Sequence, residues 1–339
     1  MMKWKNAARK KKRTNDPMTK IERIILNTTI MQTLIKWSQH IVLPGFERLP
    51  LYDVIVFFIK QMKKVGLNER AAAISFNFLM AIPAATIFLC TLLPYLPISS
   101  QITDELLTLT EDITPDDSTY FAVKGFLEDF LQTPRSGLLS LGFLLAVFYA
   151  SNAMMGIMRT FNKSLIYMSR RNFLESRWMA IKLTTLLIVL VIATMILLAT
   201  QGKILIWILE RVNLKNAAIL TIIQIVRWLL LIGMSYYSIA FIYKYAPAVH
   251  KRWKLTSPGT TLATFLILVT AWLFSFWVTN FGSFNKVYGS IGTILIIMLL
   301  VYINSLVLLI GFELNVSIHS LKHQADERAK HETDGKHSK

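Results

Sequence analysis

The sequence has little of what soluble enzymes depend on. It contains one cysteine, Cys90, among 339 residues, which excludes an intramolecular disulfide and a thiolate metal cage. Cys90 lies in an apolar run, where we expect it to be a small buried hydrophobe. Charged residues make up only 17% of the chain, against about 25% in soluble domains. These side chains are too few to cover a water-exposed surface.

Motifs of common catalytic sites are absent as well. The chain has no Walker-type phosphate loop, no G-x-S-x-G elbow and no H-E-x-x-H helix. His319 and His323 stand four positions apart, but no acidic residue completes a metal site beside them, and solvated histidines of the tail are the simpler interpretation. We predict no metal, no cofactor and no enzymatic activity.

What the chain does contain is a series of long apolar segments. A helix needs about 20 apolar residues, at about 1.5 Å each, to cross a bilayer. Six segments qualify, and none alternates polar and apolar residues as a barrel strand would: 71–93, 137–158, 179–200, 220–242, 260–278 and 291–312. The sequence therefore predicts an all-α fold, a polytopic membrane protein with a bundle of six transmembrane helices.

The distribution of basic residues predicts the orientation. The net charge is +17, which by itself would also suit a nucleic-acid partner. Of the 37 Lys and Arg residues, 30 lie on the side of the two termini, 6 on the opposite side and Arg227 inside a helix. Basic residues accumulate in cytoplasmic loops, so we expect cytoplasmic termini in a bacterial inner (plasma) membrane and no nucleic-acid partner. Met1 to Arg13 is basic but is not followed by an apolar core, so the first membrane segment is expected to stay in the mature protein.

The sequence divides into three predicted regions. Residues 1–50 form a basic cytoplasmic extension, residues 51–318 the membrane domain, and residues 319–339 a polar tail expected to fray. The segments Ile21–Ile35 and Leu51–Met62 mix apolar and charged residues, which is typical of amphipathic helices at a membrane surface. The first outer loop, 99–136, is acidic.

Polar residues within the spans are candidates for function, because burying them in lipid is costly. Arg227 either extends its side chain to the membrane surface or faces the bundle interior, where it would meet an anionic headgroup or a polar partner. The preferred interpretation of Glu313, which lies beside Asn315, is an interfacial carboxylate hydrogen-bonded to a neighbouring helix. Four more side chains are expected to link helices by hydrogen bonds: Asn77, Asn152, Asn304 and Ser305.

The connection before the last span is dense in glycine and asparagine. The stretch from Asn280 to Gly292 predicts a tight outer turn that either only positions two helices or lines the mouth of a substrate cavity. With the polar residues above, it completes the set of candidate substrate-binding residues: Arg227, Asn280, Asn285, Tyr288, Gly289, Glu313 and Asn315.

Several of these stretches resemble the YihY/BrkB family of bacterial membrane proteins. The likeness lies in Ala246-Pro247 through Pro258-Gly259, in the turn 280–292, in Gly311 to Asn315, and in Glu69 to Ala73 leading to Pro83. One departure is Phe312, where the family commonly has a small residue. The resemblance implies six helices in the inner membrane. Members of the family have carried the labels of a transfer-RNA-processing ribonuclease and of virulence factors, and some have been linked to envelope lipid transport.

Two functional hypotheses follow from the sequence and this resemblance. The first is a transporter or flippase of a lipid or lipid-linked envelope intermediate. The second is a non-catalytic membrane scaffold that recruits envelope-biogenesis proteins. Membrane lipids are partners in both, and the oligomeric state stays open. A ribonuclease is disfavoured, because no His/Asp cluster suited to catalytic metals is present.

Overall fold

A computed structural model describes most of the membrane domain. The described residues are 37–39, 41–47, 49–95, 120–121, 124–125, 128, 136–165, 171–199, 217–249, 253–281 and 284–337. Within them the elements are a short 3-10 helix, Leu93–Tyr95, and seven α-helices: α1 Leu51–Val65, α2 Leu67–Leu92, α3 Ser136–Ser164, α4 Phe173–Ala199, α5 Ala217–Tyr245, α6 Pro258–Phe281 and α7 Phe284–His337.

Six of these helices, α2 to α7, are long and apolar enough to cross a membrane. They correspond one to one with the six predicted segments, so the predicted all-α membrane fold is confirmed. The structural reason is that a bilayer offers no water to backbone groups, and a helix satisfies them within its own segment.

The chain divides into two compact units, Met1–Val56 and Phe57–Lys339. In the first unit, the described residues before α1 form a turn in which Gly45 has a φ of 87°. The second unit holds the six apolar helices. The boundaries predicted at residues 50 and 318 stay predictions.

α1 corresponds to the predicted surface segment Leu51–Met62 and continues to Val65. Asp53 lies in its first turn and Lys63 and Lys64 in its last, charges that complement the helix dipole. Gly66, with a φ of 63°, then separates α1 from α2, a conformation that favours glycine. The other predicted surface segment, Ile21–Ile35, lies outside the described residues.

The last helix is much longer than its membrane span. α7 contains 54 residues and runs to His337, so the prediction that the tail frays is wrong. The tail is rich in good helix formers and contains no proline, and it extends a helix that is already nucleated. An i,i+4 pair of His323 Nδ1 and Glu327 Oε1, 3.3 Å apart, supports it.

The buried core lies at one end of the bundle, which we call the Glu313 end. It is the end where α2, α4 and α6 begin, where α3 and α5 finish, and where α7 carries Glu313. Phe312 of α7 stacks on Phe161 of α3 with ring centroids 3.7 Å apart, and Tyr243 of α5 meets both rings edge-on at 5.9 Å. All three side chains are almost completely buried. Phe312, the residue noted above as a departure from the resemblance, is thus a central core side chain.

Away from the Glu313 end, large apolar side chains point outward. Leu144 of α3, Trp228 of α5 and Trp272 of α6 are 65%, 65% and 68% exposed. In water such a surface would be unfavourable at roughly 25 cal/mol per Å², whereas lipid chains solvate it. This distribution suits an integral membrane protein.

Candidate functional site

A buried polar cluster at the Glu313 end joins three helices. Arg70, in the first turn of α2, donates from Nη1 to Ser164 Oγ at 2.7 Å and to the Thr160 carbonyl at 3.5 Å. The Ser164 hydroxyl at the end of α3 donates in turn to Glu313 Oε1 on α7 through a short hydrogen bond. Arg70 Nη1 lies 3.8 Å from the same carboxylate oxygen. We call these residues the Arg70–Ser164–Glu313 cluster.

Glu313 is completely enclosed within this cluster. Its side chain has 0% exposure, whereas that of Arg70 has 17%. Among the described residues, none donates a hydrogen bond to Oε2. The Gln61 side chain of α1 lies near the carboxylate, without an ordinary hydrogen bond to that oxygen. An ionised carboxylate so far from water depends on the neighbouring guanidinium for its stability.

A second polar contact at the same end joins α6 and α7. Asn315 accepts a hydrogen bond from the Gly259 N–H at 2.9 Å and donates to Ser257 Oγ at 2.9 Å. Ser257 caps α6 by accepting from the Thr260 N–H at 3.3 Å. Asn315 therefore fixes the start of α6 against α7.

The helices cross at two glycines beside Asn315. A β-carbon on Gly311 would lie 2.6 Å from the Gly259 carbonyl oxygen and 2.7 Å from the Ala263 β-carbon. Such distances are too short for any side chain, so only glycine allows the backbones to approach this closely. Tyr243 closes the contact by donating from its hydroxyl to the Leu308 carbonyl at 2.6 Å.

Arg171 organises the end of α5 at the same level. Its guanidinium nitrogens lie 3.3 to 3.4 Å from the carbonyl oxygens of Tyr245, Ala246 and Pro247. A cation at a helix C-terminus satisfies free carbonyls and complements the dipole. Asn162 of α3 then accepts from the Ala248 N–H at 3.0 Å. These contacts join the end of α5 to α3 and to the segment before α4.

Of the seven predicted site residues, the structure describes the side chains of three: Arg227, Glu313 and Asn315. Glu313 and Asn315 are both buried at the Glu313 end. Arg227 is partly exposed and lies sixteen residues before Tyr243 on α5, about 24 Å along the helix. Arg227 therefore lies far along the bundle from Glu313 and Asn315, and the role of all three in substrate binding stays a prediction.

The predicted outer turn is mostly helical. α6 continues to Phe281 and α7 begins at Phe284, so Asn280, Asn285 and Gly289 lie within the two helices. Asn280 falls in the last turn of α6, and Asn285, Tyr288 and Gly289 fall in the first two turns of α7. Their side chains lie outside the described residues, and their proposed contact with substrate stays a prediction.

Of the four residues expected to link helices, only Asn152 makes such a bond to another described helix. It accepts from Arg177 Nη1 of α4 at 2.5 Å. The other three donate to carbonyls one turn back in their own helices: Asn77 to Ala73, Asn304 to Leu300 and Ser305 to Val301. Two single-residue expectations also differ, since Cys90 is only partly buried and His319 stacks on Trp253 with centroids 5.1 Å apart.

Two members of the cluster, Arg70 and Ser164, were not identified as site residues from the sequence. A buried acid near the end of one span calls for a basic partner at the same level on another span. Several basic residues met that condition, however, including Lys163, Arg177 and Lys244. Within the part of the chain that the structure describes, no three His, Cys, Asp or Glu side chains come close enough to hold a metal ion.

Comparison with known proteins places this arrangement in a family. The sequence profile of the family described as virulence factor BrkB matches residues 58–336, which include all six apolar helices and the whole cluster. The chain belongs to this family. The resemblance noted from the sequence is thereby confirmed, and the protein is an integral membrane protein.

Individual relatives support the same conclusion. The ribonuclease-like protein YfkH of Bacillus subtilis (strain 168) is 29% identical over 283 residues, covering 81% of this chain and 99% of that protein. A UPF0761 membrane protein of Tolumonas auensis is 29% identical over 112 residues, covering 33% of this chain and 36% of that one. A UPF0761 membrane protein of Xanthomonas campestris pv. campestris (strain B100) is 27% identical over 94 residues, or 28% of this chain and 22% of that one. No solved structure matches.

Proposed function

We propose that this protein moves a lipid, or a lipid-linked intermediate of the cell envelope, across the inner (plasma) membrane of a bacterium. The observation that carries the proposal is the Arg70–Ser164–Glu313 cluster, a fully buried carboxylate within an apolar helix. Charges inside transmembrane helices are costly, and in transporters they line ion and substrate paths. The exposed apolar faces of α3, α5 and α6 would stay in contact with acyl chains while a polar headgroup moves.

Reconstitution into liposomes tests this function. The assay follows a fluorescent lipid that a membrane-impermeant quencher bleaches only in the outer leaflet. We expect wild-type protein to accelerate exchange between leaflets, and Glu313→Gln to slow it at least fivefold. Gly233→Ala is the matched control, because no atom lies within 4 Å of the added β-carbon. If no tested lipid moves faster than in empty liposomes, the proposal is wrong.

Arg227 needs a separate test, because it lies away from the cluster. We propose that it receives an anionic headgroup near the opposite membrane surface. Arg227→Ala should then slow leaflet exchange of anionic lipids more than that of zwitterionic lipids. Equal rates for this variant and the wild type would remove Arg227 from the mechanism.

The proposed orientation has both termini in the cytoplasm, on the evidence of 30 basic residues against 6. Replacing Cys90 by serine gives a cysteine-free protein for site-directed labelling. A cysteine at position 105 should react with a membrane-impermeant maleimide in intact cells. A cysteine at position 335 should react only after the membrane is opened, and labelling of that position in intact cells would reverse the orientation.

We further propose that the protein is not an enzyme. The word ribonuclease in the name of the Bacillus relative describes that protein. Purified protein should leave transfer RNA intact in the presence of Mg²⁺ or Mn²⁺. Metal-dependent cleavage that co-purifies with the wild-type chain and is lost in a point variant would refute this part of the proposal.

A scaffold is the second candidate function, and the length of α7 favours it. The helix continues for 24 residues beyond Glu313, about 36 Å, with charged side chains along this extension. Such a helix provides a surface for envelope-biogenesis proteins. Truncation after residue 320 separates the two functions, since a scaffold would lose a stoichiometric partner in membrane pull-downs whereas a transporter would keep its rate in liposomes.

A further inference from the structure

The position of Arg70 suits recognition of an anion at the membrane surface. It lies in the first turn of α2, the end of this helix at which we expect the membrane surface. Every described hydrogen bond of its guanidinium starts from Nη1, and 17% of the side chain remains exposed. Arginine presents its N–H groups as a planar fork that binds phosphate through two parallel hydrogen bonds. Within the described structure, Nη2 and Nε are left for such a ligand.

The position of Glu313 suits storage of a proton. Its carboxylate is completely buried, with Oε1 bonded to Ser164 and Oε2 without a donor among the described residues. Arg70 is the charged group whose contact with it is described, and the neighbouring Ser164 and Gln61 side chains are uncharged. On the adjoining turns, Tyr243 is bonded to the Leu308 carbonyl and His319 is stacked on Trp253.

These two arrangements are coupled through a single nitrogen. Arg70 Nη1 serves both Ser164 and, at 3.8 Å, Glu313. If the guanidinium turns toward an external anion, the buried carboxylate loses its counter-charge. In a low-dielectric site an unpaired carboxylate is unstable and takes up a proton instead.

We propose that Arg70 binds the phosphate of an anionic lipid headgroup by leaving Glu313, and that Glu313 takes up one proton in the same step. The charge balances, because the pair Arg⁺/Glu⁻ becomes Arg⁺/phosphate⁻ beside a neutral carboxylic acid. No covalent bond other than the O–H bond of Glu313 forms. This inference rests on the proposed function and deepens it, since it names the headgroup class and makes movement of the headgroup dependent on protons.

Carbodiimide labelling of Glu313 tests the proposal without any transport measurement. Dicyclohexylcarbodiimide reacts with protonated carboxyl groups in apolar surroundings, and mass spectrometry of the peptide containing Glu313 measures the product. The protein is placed in phosphatidylcholine nanodiscs alone, with added phosphatidylglycerol, or with inorganic phosphate in the buffer. We expect phosphatidylglycerol to raise the labelling of Glu313 at least threefold at pH 7.5.

The arms of the experiment also identify the source of the phosphate. A response to phosphatidylglycerol alone supports a lipid headgroup, and an equal response to inorganic phosphate supports the same site with a soluble ligand. Glu175, in the first turn of α4, is the internal control and should not respond. If neither form of phosphate changes the labelling of Glu313, the proposal is overturned.

Two variants distinguish exchange at Arg70 from a merely structural ion pair. Arg70→Gln should label strongly in phosphatidylcholine alone and should no longer respond to phosphatidylglycerol. Ser164→Ala keeps both charges, so it should fold even if Arg70→Gln does not, and it should retain the threefold response. A variant Ser164→Ala that folds and shows no response contradicts the exchange.

This test can fail independently of the proposed function. A labelling response in a protein that moves no lipid would refute transport and leave the binding site standing. Lipid movement that does not depend on pH, together with unresponsive labelling, would refute the exchange and leave transport standing.

Discussion

The crossing of α6 and α7 provides the sharpest prediction about stability. Gly311→Ala places a β-carbon 2.5 Å from Tyr243 Oη and 2.6 Å from the Gly259 carbonyl oxygen. Non-bonded heavy atoms involving carbon prefer about 3.5 Å, so the two helices must separate by roughly 1 Å. That movement lengthens the bonds of Asn315 to Gly259 and Ser257, which are now 2.9 Å each.

The magnitude follows from three contributions. Overpacking costs about 1–3 kcal/mol, and weakening two buried hydrogen bonds costs about 1 kcal/mol each. Alanine recovers up to about 1 kcal/mol of helix propensity relative to glycine. We therefore expect Gly311→Ala to lower the free energy of unfolding by about 3 kcal/mol.

The assay is thermal unfolding of purified protein in detergent, followed by size-exclusion chromatography. A loss of this size corresponds to a Tm decrease of roughly 6–12 °C on the scale of soluble domains. Gly233→Ala on α5 is the control, since the same substitution meets no atom within 4 Å there, and its Tm should stay level or rise. An unchanged Tm for Gly311→Ala would show that the two backbones do not cross at these glycines.

Three other substitutions test the same end of the bundle by the same assay. Arg70→Ala should lower the free energy of unfolding by about 3 kcal/mol, because it leaves Glu313 buried without its counter-charge. The double substitution Arg70→Leu with Glu313→Leu should lower it by less than the sum of the two single substitutions. Additive losses would disprove the pairing. Phe312→Ala should lower the free energy of unfolding by about 3–5 kcal/mol through loss of its stack on Phe161. Phe265→Ala, at a side chain 62% exposed, should lower it far less. Equal losses would contradict the placement of Phe312 in the core. Tyr243→Phe should lower the free energy of unfolding by about 1 kcal/mol, because it removes the hydrogen bond to the Leu308 carbonyl. Tyr237→Phe, at a side chain that is 49% exposed, should leave the Tm unchanged. An unchanged Tm for Tyr243→Phe would mean that this bond adds no net stability.

The family could be recognised from the sequence because its most specific stretches are local. Ala246-Pro247 and Pro258-Gly259 each have a local structural reason in the fold. Pro247 follows the last turn of α5, where a proline cannot continue a helix. Pro258 is the first residue of α6, where its missing N–H costs nothing. Such signals need no knowledge of what lies across the bundle.

The candidate site was harder to predict because its members are far apart in sequence. Ser164 and Glu313 are separated by 149 positions. The sequence shows that Glu313 is an acid near a membrane surface and that it needs a partner. It does not show which of several basic residues at that level lies beside it, because that choice depends on how the helices are arranged around one another.

The length and spacing of the apolar segments determined the number of helices, since each segment must satisfy its backbone within the bilayer on its own. The positions of Lys and Arg predicted the orientation for a similar reason, because each charge responds to the membrane and not to a particular neighbour. Only the tertiary structure decided that Arg70 and Ser164 reach Glu313, and that Gly259 meets Gly311. Contacts between helices arise from packing and desolvation shared by several segments, and no single stretch of sequence contains that information.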